Sequence, residues 1–151
     1  MPVEFSSDDV TRLRLALGRT VRALDRRTNL ADLTRTQLTV LGTVVRLGRV
    51  AASQLAEFEA INPTMLSRIV GKLEERGLVQ RVPDDVDRRV THVERTPSGV
   101  EVWEQHRRER TALLAGLLAE LPQQDVAALL VAVPSLEALA ERARASDQPI
   151  A

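Results

Sequence analysis

The sequence predicts a mainly α-helical fold with one small β-hairpin, arranged as a helix-turn-helix followed by a wing. Three features predict it. Residues 53–58 and 62–77 read as a short helix and a longer one with a tight turn between them, the helix-turn-helix arrangement. Leu78–Val82 and Val90–Val93 are β-branched runs joined by a polar loop directly after the second helix, which makes a hairpin. On either side, apolar residues recur at spacings of three and four over long stretches, so the remainder is helical as well.

Composition bounds the function classes. The chain has 151 residues, enough for one domain with a real core, and 44% hydrophobic with 28% charged residues places it among globular chains. It contains no apolar run long enough to span a membrane. The start, MPVEFSSDDV, lacks a basic region followed by an apolar segment, so no secretion signal is expected and a cytoplasmic location is. With no cysteine, disulfides, thiolate zinc sites and thiol redox sensing are excluded. Net charge is zero, so a nucleic-acid binder would need its cations gathered on one surface. The cations are 20 Arg and one Lys, a bias typical of G+C-rich coding, so not every arginine is read as a phosphate ligand. Phe5, Phe58 and Trp103 are too few to stack the bases of a single strand.

Residues 1–5 read as a loose end. Ser6 or Ser7 can cap a helix whose first turn holds Asp8 and Asp9, at the positive end of its dipole. Val10, Leu13, Leu17, Val21 and Leu24 form its apolar seam, either a core face or half of a dimer interface. A loop at Asn29–Leu33 leads to a capping box, Thr34 with Gln37. The helix after it carries Leu38, Leu41, Val44, Val45 and Leu47 and stops at Gly48; Arg49–Ala51 is a small strand or an extended connector. Ser53 starts the short helix, which ends near Ala60–Ile61.

The longer helix carries its own start and stop signals: Asn62 as cap, Pro63 in the first position, Gly77 as terminator. Met65, Leu66, Ile69, Val70 and Leu73 fall on one arc; Thr64, Ser67, Arg68, Gly71, Lys72 and Glu75 fall on the other. Small hydroxyls followed by cations suit a major groove. Thr64, Ser67 and Arg68 are candidates for base readout, and Lys72 for phosphate. A polar helix face is also what any solvated amphipathic helix presents. The flanking short helix and hairpin favour DNA. In the loop Pro83–Arg89, Arg88 and Arg89 can enter a minor groove, and Asp87 can pair with one of them and hold the loop in shape.

Thr96 and Pro97 read as the cap and first position of a helix through Trp103 to Leu121, with Leu113, Leu114, Leu117, Leu118 and Leu121 apolar and Pro122 as the break. A last helix covers Gln123 to about Ala145; Pro134 inside it is expected to kink or split it, and the tail from Ser146 to fray. The two histidines, His92 and His106, have no His or Cys at metal-ligand spacing and read as surface residues. No phosphate loop, nucleophile elbow or zincin motif is present, so no catalytic residue, metal or cofactor is expected.

Over roughly residues 8–145 the chain resembles the MarR family of bacterial transcriptional regulators. The resemblance is carried by Ser67-Arg68, Leu73-Glu74, Gly77-Leu78-Val79, Asp87-Arg88-Arg89 and Thr96-Pro97-Ser98-Gly99, in that order and spacing. Two positions depart from the family pattern: Gly71, where a polar residue is common, and Asp85, where Pro is common. The resemblance implies a single domain over 1–151, with a winged helix-turn-helix lobe at about 34–96 and dimerisation helices at 6–28 and 97–145. It implies a homodimer on a pseudo-palindromic double-stranded operator, acting as a repressor and released by a small aromatic or anionic effector. The effector residues are not assigned by any motif here. The alternative reading is a winged-helix module for protein contact without DNA binding, supported by the neutral charge and Gly71.

Overall fold

The structure, a computed structural model, describes residues 4–28 and 32–146, with side chains through Ala143. The loose end at 1–3, the loop at 29–31 and the tail from 147 lie outside the described residues. The elements in chain order are α1 (Ser7–Arg27), α2 (Arg35–Leu47), β1 (Arg49–Ala51), α3 (Ala52–Phe58), α4 (Pro63–Glu75), β2 (Val79–Pro83), β3 (Thr91–Arg95), α5 (Pro97–Ala119) and α6 (Gln123–Ser146).

Local capping fixes where the helices begin. Ser6 accepts from the Asp9 amide while the Asp9 carboxylate accepts from Ser6 N–H, and Thr34 and Gln37 form the same reciprocal box on α2. The Ser6 hydroxyl, which donates to Asp9 Oδ2 at 2.7 Å, and then the Ser6 amide hold the Asp9 carboxyl below the usual carboxylate range. Asn62 Oδ1 accepts from the Met65 amide at 2.8 Å, with Pro63 in the first position of α4. By contrast α3 starts one residue before the expected Ser53, at Ala52, and has no side-chain cap.

Two compact units are present, one up to Thr111 and one from Ala112, and α5 contributes to both. In the first, the core is built by Leu38, Val40, Leu41 and Val44 of α2, Leu55 of α3, Leu66, Val70 and Leu73 of α4, and Val79 and Val93 of the sheet. The sheet is three-stranded and antiparallel, in the order β1-β3-β2, with Val50 opposite Val93 and Arg81 opposite Val93 on the other side. The expected hairpin is therefore the outer two-thirds of a sheet to which Arg49–Ala51 adds a strand. Each hairpin strand starts one residue later than expected. Leu78 N–H closes α4 by bonding Leu73 O, and Val90 N–H belongs to the loop, bonding Asp87 O.

Other expectations need correction. Met65 and Leu47 were placed on apolar faces but are 47% and 44% exposed: Met65 stands at the edge of the buried sector of α4, and Leu47 is the last residue of α2. His106 is buried, not a surface residue, and His92 is half-buried. Pro134 does not split α6, which continues as one helix through it; a proline removes a single amide donor, and the neighbouring turns persist. The α1 seam is mostly open, with Val10, Leu13, Leu17 and Val21 exposed and Leu24 buried. In the second unit no described side chain is buried: Leu129, Leu130, Val131, Val133 and Leu139 all lie open.

Candidate nucleic-acid interface

The polar arc of α4 is presented as the sequence predicts. Leu66, Ile69, Val70 and Leu73 anchor one side in the core, which turns Thr64, Ser67, Arg68 and Lys72 outward. Pro63, Thr64, Ser67 and Arg68 share one shallow, open depression at the start of the helix. Arg68 makes no ion pair or side-chain hydrogen bond among the described residues, so its fork is available to an external acceptor. Lys72 is exposed but bonds Glu75 Oε2 at 2.9 Å. Both partners are well solvated, so this pair is weak and opens at little cost. Gly71 has no other side chain or distant backbone within 4 Å of where a Cβ would stand.

The loop between β2 and β3 is ordered by its own side chains. Asp84 Oδ1 accepts from the amides of Val86 and Asp87, each at 2.9 Å, and those bonds hold the Asp84 carboxyl below the usual range. Asp87 pairs with Arg89 through Nε at 3.0 Å and Nη2 at 3.1 Å, and it also accepts from the Arg89 amide. That pairing lowers the Asp87 carboxyl and raises the Arg89 guanidinium. Of the two wing arginines, Arg89 is thus the one Asp87 holds, and Arg88 is exposed with no partner among the described residues. Val86, between two aspartates, is 95% exposed at the tip.

The α4 cluster and the wing are connected by a residue that sequence reasoning missed. Arg81 of β2 donates to Glu74 Oε2 at 2.6 Å and to the Ser67 carbonyl at 2.9 Å. Its own amide donates to Glu74 Oε1 at 2.9 Å. The available signal was parity: Arg81 is two residues from buried Val79, hence on the strand face that meets α4. At the other end, one Thr96 oxygen donates to Gly77 O at 2.6 Å and accepts from the Gly99 amide at 3.0 Å. The turn that follows α4 and the start of α5 are pinned to the same atom.

Away from this face, a cavity of about 350 Å³ is lined by Asp25, Arg35, Trp103, His106 and Arg110, among others. Asp25 bonds Arg110 Nη1 at 2.5 Å and lies 3.3 Å from Arg35 Nε, with Oδ2 left without a well-aligned donor. Trp103 and His106 rings stand 5.8 Å apart. Burial and the nearby Arg110 cation hold His106 below its usual pKa, and its Nδ1 has no hydrogen-bond partner among the described residues. With His106 neutral, two guanidinium groups face one carboxylate, so the lining carries a net charge of +1 (2 − 1) beside two aromatic rings.

A profile of the MarR family matches residues 33–91. An HTH-type transcriptional regulator of Mycobacterium bovis, itself uncharacterized, is 32% identical over 113 residues, 75% of this chain and 79% of that one. Among solved structures, a Pseudomonas aeruginosa protein assigned as a transcriptional regulator is 29% identical and superposes with a TM-score of 0.76, over 87% of this chain and 92% of its own. NadR in complex with 4-hydroxyphenylacetate shares the fold at 22% identity, with a TM-score of 0.61 over 90% of this chain and 97% of that one.

Proposed function

Because the chain belongs to the MarR family of transcriptional regulators, we propose that it acts as a homodimeric repressor on a pseudo-palindromic duplex. The observation that carries the DNA reading is the open arc of α4, where Thr64, Ser67 and the unpartnered Arg68 share one depression. Thr64 and Ser67 contact base edges, Arg68 forks onto a guanine, and Lys72 releases Glu75 to take a phosphate. Asp87 orders the wing through Arg89, and Arg88 and Arg89 supply the wing's cations.

The partner for the open apolar surface is a second copy of the chain. Val10, Leu13, Leu17 and Val21 of α1, and Leu129, Leu130, Val131, Val133 and Leu139 of α6, lie open for such a partner to cover. Two copies set their α4 helices about 34–36 Å apart, one turn of duplex. Effector release is supported by the cavity chemistry: Arg35 and Arg110 suit a carboxylate, and Trp103 and His106 suit a ring. NadR, solved with the anionic aromatic 4-hydroxyphenylacetate, is a precedent for that ligand class in this fold.

Fluorescence anisotropy tests the function. A labelled duplex from immediately upstream of the gene is titrated at two salt concentrations against unrelated competitor DNA. Binding that resists the competitor is expected. Failure on every genomic fragment, with a stable protein complex recovered instead, would favour the protein-contact role. A monomer in sedimentation at micromolar concentration would remove the dimer.

A further inference from the structure

We propose that Arg81 is a positioning residue for sequence readout. It locks the recognition helix to the wing strand and turns the Ser67 hydroxyl into a hydrogen-bond donor toward DNA. The inference rests on the DNA-binding reading above.

Arg81 lies on β2, the outer strand of the sheet. Its outward amide has no strand to bond, and the Glu74 carboxylate takes it at 2.9 Å. The same carboxylate accepts from Arg81 Nη1 at 2.6 Å, so one side chain of α4 grips both the backbone and the guanidinium of the strand. Nη2 then reaches the Ser67 carbonyl at 2.9 Å. Three bonds from one residue fix the helix against the hairpin, two at Glu74 near the end of α4 and one at Ser67, about one turn from Thr64. The wing loop begins three residues beyond Arg81, so the wing inherits this register.

The fourth contact concerns readout. Arg81 Nη2 also lies 3.4 Å from Ser67 Oγ. A guanidinium has donors only, whereas a hydroxyl has one hydrogen and two lone pairs. The lone pair therefore faces Arg81, and the hydroxyl hydrogen is left for the open side of the helix. A serine held this way reads acceptors in the major groove: N7 or O6 of guanine, N7 of adenine, O4 of thymine. Toward the amino groups of cytosine or adenine it keeps only one lone pair, so donation to acceptors is the favoured mode. Arg81 and Glu74 neutralise each other and are only about one-third exposed, at 34% and 38%, so the pair stays closed and contributes specificity without adding attraction to phosphate. The Lys72–Glu75 pair, at 64% and 66%, opens more readily.

The test compares the parent protein with Arg81→Gln, Arg81→Lys, Glu74→Gln, Ser67→Ala and the double variant Arg81→Gln/Ser67→Ala. Each is titrated by anisotropy on the operator duplex and on an unrelated duplex, at two salt concentrations. The operator-to-unrelated affinity ratio is expected to fall at least about tenfold in Arg81→Gln, comparable with a mismatched base pair. Arg81→Lys should fall nearly as far, since it keeps the charge and loses the fork. Glu74→Gln should also fall although it removes a negative charge. The salt slope should stay at the parent value, and the double variant should lose little more than either single one. An unchanged ratio in Arg81→Gln overturns the proposal. So does a slope lower by about one, which would make Arg81 a phosphate ligand, or losses from Arg81 and Ser67 that multiply independently. If Arg81→Gln fails to melt cooperatively, Arg81→Lys and Glu74→Gln decide the question by the same criteria. A parent protein that does not discriminate between the duplexes defeats the DNA reading itself, before any variant is compared.

Discussion

Replacing Gly99 by alanine is the sharpest test of how α5 is seated. A Cβ at Gly99 would stand 1.9 Å from Leu78 O, 2.9 Å from Leu78 C and 3.4 Å from Leu41 Cδ1. A carbon and a carbonyl oxygen in contact need about 3.3 Å, so the start of α5 must withdraw by about 1.4 Å. The obstacle is backbone, which cannot swing aside as a side chain would. Withdrawal pulls the Thr96 hydroxyl away from Gly77 O. Overpacking costs about 1–3 kcal/mol and the lost hydrogen bond about 0.5–1.5 kcal/mol, so a destabilisation of about 1.5–4.5 kcal/mol is expected. Urea unfolding at fixed protein concentration measures it. Trp103 is the only tryptophan and reports directly, because its ring covers Gly42 so closely that a Cβ there would lie 2.5 Å away. The internal control is Gly71→Ala, where nothing stands within 4 Å and a gain of about 1 kcal/mol is expected from helix propensity. A loss below about 1 kcal/mol at Gly99 would refute the seating, since it would lie under the whole range for overpacking.

Arg68→Ala is expected to cost about 1–3 kcal/mol of operator affinity and to relax specificity at one base pair; unchanged affinity for the operator would remove Arg68 from the groove. Lys72→Ala should weaken all duplexes alike and reduce the salt slope by about one, and equal slopes would show that Lys72 stays with Glu75. Asp87→Ala frees Arg89 and loosens the loop. Faster amide hydrogen exchange at Arg89 and Val90, with the exchange of α4 unaltered, is the expected result, and uniform protection would contradict it. Burial holds His106 below 6.5, so the unfolded chain takes up the proton first as pH falls. Stability should be level above about pH 7 and decline as pH drops through 6.5 toward the depressed native value, with a slope of at most about 1.4 kcal/mol per pH unit. His106→Gln should remove that slope; the same slope in the variant would assign it elsewhere.

What could be read in the sequence was what is decided locally. Ser6, Thr34, Asn62 and Thr96 were legible as caps because a cap joins a side chain to an amide two or three residues away. The polar arc of α4 was legible because helical periodicity sorts faces. It does not say how far the buried sector extends, and Met65 stands about 90° from the centre of its arc at 100° per residue, where exposure wins. His106 had a usable signal: Gly99, Trp103, His106 and Arg110 recur at spacings of four, three and four, so it shares the inward face of α5 with Trp103. Its polarity masked that pattern. The Arg81 brace depends on partners distant in sequence, which no short window contains, and the distance to β3 is likewise why Arg49–Ala51 could be read only as a strand or a connector.

The strand order has a bearing on how the molecule comes into being. β2 and β3 meet across a short loop, Pro83 opposite Thr91, and that pairing forms early. An isolated two-stranded ribbon is at best marginal in water. Its permanence comes from burying Val79 and Val93 against the helices and from β1, and Val50 must close across 43 residues (93 − 50) to reach Val93. All of α3 and α4 lies inside that closure. The complete sheet, and with it the seating of the wing strands on the helices, is thus a long-range product that cannot exist before residue 95 has been made.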